Sequence, residues 1–168
     1  MKKLFLILPI TVFLACQPQS TEEPAREVQQ YTIEQFSQNE NIYSGGFSPD
    51  EQYILATSNR TGIYNAFALP VDGSDPVQLT ESTGESVFSI SYFPDDGRIL
   101  YASDQGGNEI DHIYLRNEDG TTQDLTPWEN AKCSFFKWNR EGDAFYFLSN
   151  KRDPQFFDLY KMSIDDFS

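Results

Sequence analysis

The chain of 168 residues is poor in the side chains that do most enzymatic chemistry, with one histidine, His112, and two cysteines, Cys16 and Cys133. A hydrolytic triad needs a base to take the nucleophile's proton, usually histidine, so any triad within this chain must run through His112. One histidine and so few thiols also exclude a typical intrachain zinc site. Positive charge is scarce: 12 Lys+Arg stand against 26 Asp+Glu, a formal charge of −14. Such a surface repels a phosphate backbone, so no nucleic acid partner is expected. Long hydrophobic runs are missing as well. Leu4 to Leu14 is apolar but broken by Pro9, shorter than the roughly 20 residues that span a bilayer. What remains is 39% hydrophobic and 15% aromatic, enough for one modest core and one structural unit.

The start of the chain reads as an export signal. Lys2 and Lys3 precede the apolar run, and "FLAC" (Phe13 to Cys16) puts a small Ala15 before a cysteine, the layout of a cleavable leader over residues 1–15. "FLAC" resembles the lipobox of bacterial lipoproteins, which implies lipidation of Cys16, attachment to a membrane through that anchor and a place in the cell envelope, periplasmic or at the cell surface. Ordinary signal cleavage is the alternative. Loss of Lys2 and Lys3 leaves 10 basic against 26 acidic residues, or −16. Residues 16–30, including "QPQSTEEPAREV", are polar with two prolines and no apolar period, as in a flexible tether. With Cys16 acylated, Cys133 is the one remaining thiol. In "KCSFFKW" it reads as a small buried strand residue.

From there the chain repeats itself. "FSPDEQYILATS" (Phe47 to Ser58) returns as "YFPDDGRILYAS" (Tyr92 to Ser103), with Pro49 and Pro94 spaced 45 residues apart. A further 45 reaches Asn139 in "KWNREGDAFYFLS". Asp72-Gly73 returns 47 residues on as Asp119-Gly120, and Leu79-Thr80 returns 46 on as Leu125-Thr126. Solenoids of helix pairs can share this period. Here the apolar segments are short, rich in Ile, Val, Tyr and Phe, and cut by Asp-Gly, Pro-Asp and Gly-Gly, which favours strands and hairpins.

A period near 45 built of strands and turns matches a four-stranded propeller blade. The expected strands are Ile42–Phe47, Tyr53–Ser58, Tyr64–Leu69 and Val77–Leu79 in the first blade (residues 31–80). Val87–Tyr92, Arg98–Ser103, Asp111–Arg116 and Thr122–Leu125 follow in the second (84–127). Cys133–Trp138, Ala144–Ser149 and Phe157–Met162 belong to the third (131–168), whose fourth strand is absent. The fold class is therefore all-β: a partial β-propeller of about three four-stranded antiparallel blades, the last incomplete. Closing a ring takes roughly four to eight blades, so the sequence is expected to open a longer protein.

The repeat lines resemble the TolB-like propeller repeat, with its "FSPDG" turn and its "LT" ending. "YTIEQF" (Tyr31 to Phe36) and "GGFSPDEQYILATSNRTGIYNAFALPVDGSDPVQLT" (Gly45 to Thr80) resemble the start of the mature region of exported bacterial serine peptidases of the prolyl oligopeptidase family. The resemblance covers about residues 31–166. It implies a propeller that gates peptide substrates ahead of an α/β-hydrolase domain bearing a Ser-His-Asp triad, with the nucleophile on a G-x-S-x-G elbow. That motif does not occur here; "TGESVF" (Thr83 to Phe88) lacks the second glycine. No catalytic residue transfers to this chain, which is expected to be non-catalytic by itself. The alternative is a TolB-like propeller lipoprotein that binds a protein partner.

Other candidates have weak signals. His112, in "NEIDHIYL", sits on a strand with Asp111 directed to the opposite face, so a structural hydrogen bond is expected. Asp104, Asn108 and Asp111 offer oxygen ligands, but their spacing departs from a calcium loop, and a solvated turn is expected. No metal and no cofactor is therefore expected. Tyr92, Phe135, Phe136, Trp138, Phe156 and Phe157 lie on strands where aromatics pack between blades, so most are expected in the core. The sequence leaves the oligomeric state open.

Overall fold

The structure, a computed structural model, describes residues 28–168. The expected leader, the lipidation site Cys16 and the tether up to residue 27 lie outside the described residues. A single helical turn, α1 (Ile33–Ser37), belongs to a separate N-terminal unit ending at Ser37. Its start is fixed by a reciprocal cap: the Gln35 N–H donates to the Thr32 hydroxyl, and the Thr32 N–H to the Gln35 side chain. Among the described residues no helix is long and apolar enough to cross a membrane.

The second unit, Gln38–Ser168, is three antiparallel sheets in chain order. The first holds β1 (Ile42–Phe47), β2 (Tyr53–Ser58), β3 (Asn65–Pro70) and β4 (Val77–Gln78) side by side. The second holds β5 (Phe88–Tyr92), β6 (Ile99–Ser103), β7 (His112–Arg116) and β8 (Thr122–Asp124) in the same order. The third has β9 (Cys133–Trp138), β10 (Ala144–Asp153) and β11 (Phe156–Ser163). Each sheet is a meander of neighbouring strands, the arrangement of a propeller blade.

The repeated letters have identifiable physical duties. In both "Leu-Thr" endings the leucine N–H closes onto the third strand, Leu79 to the Ala66 carbonyl at 2.8 Å and Leu125 to the Ile113 carbonyl at 2.9 Å. The threonine hydroxyl then accepts the N–H of that same third-strand residue, Ala66 to Thr80 and Ile113 to Thr126, each at 2.9 Å. In both Asp-Gly turns the aspartate accepts the N–H two residues on, from Ser74 and from Thr121. The glycine takes the left-handed backbone there, with φ of 80° at Gly73 and 89° at Gly120. The closing serines Ser58, Ser103 and Ser149 are all buried.

Two packed layers join the three sheets. Leu55 and Ala66 of the first meet Val87, Tyr92, Ile99 and Tyr101 of the second. The opposite face of the second sheet, with Phe93, Leu100, Ile113 and Leu115, meets Cys133, Phe145, Phe147 and Met162 of the third. Equivalent backbone bonds tie each sheet to the next: the Val87 N–H donates to the Tyr64 carbonyl at 2.9 Å, and the Cys133 N–H to the Asp111 carbonyl at 2.7 Å.

The third repeat is displaced by one residue from the 45-residue spacing. Ser48, Phe93 and Asn139 each donate their N–H to the carbonyl five residues on, at Tyr53, Arg98 and Ala144. Asn139 therefore stands where Phe93 does, and Arg140, not Asn139, matches Pro94. Side chains alternate along a strand, so one residue decides the face. This register puts Phe145 and Phe147 with Ile99 and Tyr101 on the side facing the preceding sheet.

Candidate functional site

The innermost strands share one irregularity. The pairing slips between Ser44 and Gly46 in β1, between Ser89 and Ser91 in β5, and opposite Tyr146 and Phe147 in β9. The extra residues are Gly45, Ile90 and Phe136, so each blade carries a bulge at the same place. β1 and β5 lie against each other there. Cross-blade bonds fix them: the Ser89 N–H donates to the Thr57 hydroxyl at 2.8 Å, and the Trp138 indole N–H to the Ser91 hydroxyl at 2.9 Å.

At the loop end of these strands an aromatic row runs across the first two blades. Tyr43 and Tyr64 have ring centroids 5.8 Å apart, and Tyr64 and Phe88 5.4 Å apart. Tyr43 and Phe88 are exposed, at 57% and 42%. The Tyr43 hydroxyl beside Tyr64 is the main cause that lifts the Tyr64 phenol above its ordinary value, so it stays neutral at physiological pH. Beside Phe88 opens a hollow of about 670 Å³ whose walls include Glu85, Asp104, Glu109, Asp111 and Lys132.

The loop that forms one wall of the hollow, between β6 and β7, is ordered by its own polar groups. Gly106 and Gly107 both have left-handed backbone, with φ of 65° and 69°, a sequence of angles that side chains disfavour. The Asp104 carboxylate accepts the Glu109 N–H at 2.9 Å, and Asn108 accepts the Ile110 N–H at 2.9 Å. Lys132 Nζ reaches the Glu109 carbonyl at 2.9 Å and the Asp111 carboxylate at 3.0 Å. With Asp111 paired, Glu85, Asp104 and Glu109 leave the hollow net negative. An aromatic ledge beside an acidic hollow suits a ligand with an apolar body and a cationic group.

The structure separates the residues that sequence singled out. His112 is buried, and its Nδ1 lies 2.8 Å from the Asp124 carboxylate, while Asp111 turns to Lys132. The pair joins β7 to the end of β8, and among the described residues no serine or cysteine hydrogen-bonds the His112 ring. Asp104 and Asn108 spend oxygens on loop N–H groups, and Asp111 on Lys132. Among the described residues no cluster of three His, Cys, Asp or Glu is placed to hold a metal. Cys133 is buried, with Sγ 3.4 Å from the Ser149 hydroxyl, and burial pushes its thiol up.

The aromatic expectation needs correction. Tyr92 is buried, and Phe135 and Trp138 are half-buried against the core. Phe136, Phe156 and Phe157 are exposed, at 55%, 57% and 51%. Phe136 is extruded by the β9 bulge. Phe156 and Phe157 begin β11, which is the edge of its sheet. The aromatic row was missed, although a signal existed: Tyr43 and Phe88 are 45 residues apart, so the repeat that located the blades also aligned these two rings.

No family model matches the chain. Over 122 residues, 70% of its length, it is 29% identical to dipeptidyl aminopeptidase BIII of Pseudoxanthomonas mexicana. The chain spans only 17% of the length of that curated relative. Among solved structures, TolB from Acinetobacter baumannii aligns with a TM-score of 0.61 at 20% identity, covering 77% of this chain and 31% of that one. A prolyl endopeptidase, from work on two such enzymes and their inter-domain dynamics, aligns with a TM-score of 0.54 at 17% identity, over 72% of this chain and 20% of that one. The resemblance read from the repeats is thereby borne out. The chain is a run of TolB-like propeller blades and, over 70% of its length, is similar to a dipeptidyl aminopeptidase.

Proposed function

We propose that these blades are the substrate-gating part of an exported prolyl oligopeptidase-type serine peptidase, without catalytic activity of their own. The observation that carries this reading is the 29% identity over 122 residues to a dipeptidyl aminopeptidase, in a chain whose sheets are arranged as blades. The aromatic row and acidic hollow support it, since a peptide presents apolar side chains and an ammonium terminus together. The role of the chain is to admit and orient peptides, while a triad elsewhere cuts them. Residues 16–30 act as the tether, with Cys16 as the lipidated residue that holds the protein at the envelope.

Two measurements test the reading. The purified chain of 168 residues is assayed on dipeptidyl and prolyl chromogenic substrates with and without a serine-directed inhibitor. No inhibitor-sensitive cleavage is expected, and measurable turnover would overturn the non-catalytic role. The coding sequence downstream of Ser168 is then read: further blades followed by G-x-S-x-G with later Asp and His support the peptidase, whereas blades followed by a stop codon favour a TolB-like binding module. Labelled palmitate incorporated in bacteria, and lost in Cys16→Ser, tests the anchor.

A further inference from the structure

A second concavity lies at the hairpin-turn end of the molecule, between the first and second blades. It measures about 550 Å³. Its floor is apolar, with Ala68, Val77, Leu79 and the Tyr92 ring. Four carboxylates stand around it, Asp50, Asp95, Asp96 and Glu118, and one guanidinium, Arg116.

Most of these polar groups already have work. Arg116 is held by the carbonyls of Leu79 and Asn117. Asp96 pairs with Arg98 at 2.8 Å, and Glu118 accepts the Gly97 N–H at 2.9 Å. Asp50 accepts the Ser48 hydroxyl at 2.6 Å and the Gln52 N–H at 3.1 Å through one oxygen, Oδ1, leaving Oδ2 free. Those two bonds, the hydroxyl first, hold its carboxyl below the usual range, so it is ionised at neutral pH.

Asp95 has no such bond among the described residues, and neither does Tyr92. The Tyr92 residue as a whole is only 9% exposed, yet its hydroxyl faces the cleft, and among the described residues that hydroxyl has no hydrogen-bond partner. Burial, and then the negative charge of Asp50, push its phenol up to about 12. It is therefore a neutral hydroxyl at any physiological pH, set at the cleft beside Asp50 with its lone pairs unspent. Solvent reaches that oxygen at the cleft, so a ligand that supplies a donor can take the place of water there.

We propose that this cleft binds a basic side chain of a peptide or protein segment, its methylenes over Leu79 and Tyr92 and its cation between the Asp50 carboxylate and the Tyr92 hydroxyl. Net charge favours a cation: with Arg98 bound to Asp96, three carboxylates face Arg116 alone. The apolar floor favours a long aliphatic stem, which small inorganic cations lack. The cleft lies among turns rather than beside Phe88, so its failure would leave the gating role above untouched.

The test is a titration of the full chain with N-acetyl-arginine amide, N-acetyl-lysine amide and, as the uncharged control, N-acetyl-norleucine amide, followed by ¹H–¹⁵N NMR. Saturable shifts confined to residues around Asp50, Tyr92 and Arg116 are expected for the two cations and absent for norleucine. Tyr92→Phe and Asp50→Asn should each weaken binding by roughly tenfold, the loss of one hydrogen bond to a charged group. Asp50 is exposed, so Asp50→Asn remains informative even where Tyr92→Phe disturbs folding. Equal binding of norleucine, shifts elsewhere, or unchanged affinity in Asp50→Asn would each overturn the proposal.

Discussion

Gly45 of β1 packs against the Ile90 carbonyl of β5 so closely that a Cβ built on it would stand 3.0 Å from that oxygen. The same Cβ would lie 3.4 Å from the Leu55 side chain. Both neighbours belong to the interface between the first two blades, and a backbone oxygen in a sheet cannot swing aside. Gly45→Ala should destabilise the chain by about 1–3 kcal/mol, the usual cost of overpacking, measured by urea unfolding. Gly84→Ala is the control, because a Cβ there meets nothing within 4 Å. Equal stability of the two variants would show that the blades are not packed at this distance.

Thr126 tests whether the "Leu-Thr" signature is structural. Its hydroxyl is fully buried and accepts the Ile113 N–H at 2.9 Å. Thr126→Val keeps the shape and strands a buried donor, which costs about 1–3 kcal/mol. Thr126→Ser retains the acceptor and should lose less. Thermal unfolding of both variants decides: a valine variant as stable as the serine one removes the hydrogen bond from the account of why the motif recurs.

Blade number, strand order and most strand ends were legible in the sequence because turns are written in a small alphabet. Asp-Gly and Leu-Thr carry specific backbone duties that recur with the period. The one-residue advance of the third repeat was not legible from Pro49 and Pro94. Extra residues sit in loops: β2 and β3 close from Ser58 to Asn65, while β6 and β7 close from Ser103 to His112, two residues longer. A loop absorbs that difference without moving the strands, so letters near loops drift while hydrogen-bonded serines stay in phase. The hollow beside Phe88 depends on the same longer loop, which is why composition alone did not locate it.

Part of the pH response follows from the two Asp-Gly turns. The Ser74 hydroxyl and then its N–H hold the Asp72 carboxyl below its ordinary value, and the Thr121 hydroxyl and then its N–H do the same for Asp119. A carboxyl with a lower pKa in the folded state contributes stability above its unfolded pKa, about 3.9. That contribution is lost as pH falls through the folded value. The melting temperature should stay level from neutrality down to about pH 5 and then fall. In Asp72→Ala/Asp119→Ala the neutral value drops and the acid limb becomes shallower. Parallel acid limbs in the two proteins would contradict this origin.

Cys133 should be inert in the native protein. Burial raises its thiol pKa, and the thiolate is the reactive form. A Cys16→Ser chain, which leaves Cys133 as the one thiol, should react with a disulfide reagent at pH 8 only after urea is added. Rapid modification of the folded protein would place Cys133 at a reactive surface instead.

The two outer faces of the three-blade stack are complementary by register. Ile42 and Phe47 of β1 occupy the positions of Val87 and Tyr92, and of Cys133 and Trp138, which pack against a preceding sheet. In the first blade they are exposed. On the third blade Phe136 and Leu159 occupy the positions of Ile90 and Ile113, which pack toward a following sheet, and they too are exposed. One face therefore fits the other on a second copy, a head-to-tail contact that leaves a free face at each end and can repeat. Purified chain should self-associate with rising concentration in sedimentation velocity. Phe47→Lys or Leu159→Lys alone should abolish the series, since each blocks one of the two faces. A mixture of these two variants should form dimers and nothing larger, because a single unmodified pair of faces remains. A monodisperse wild-type monomer, or a mixture that stays monomeric, would show that the exposed faces do not recognise one another.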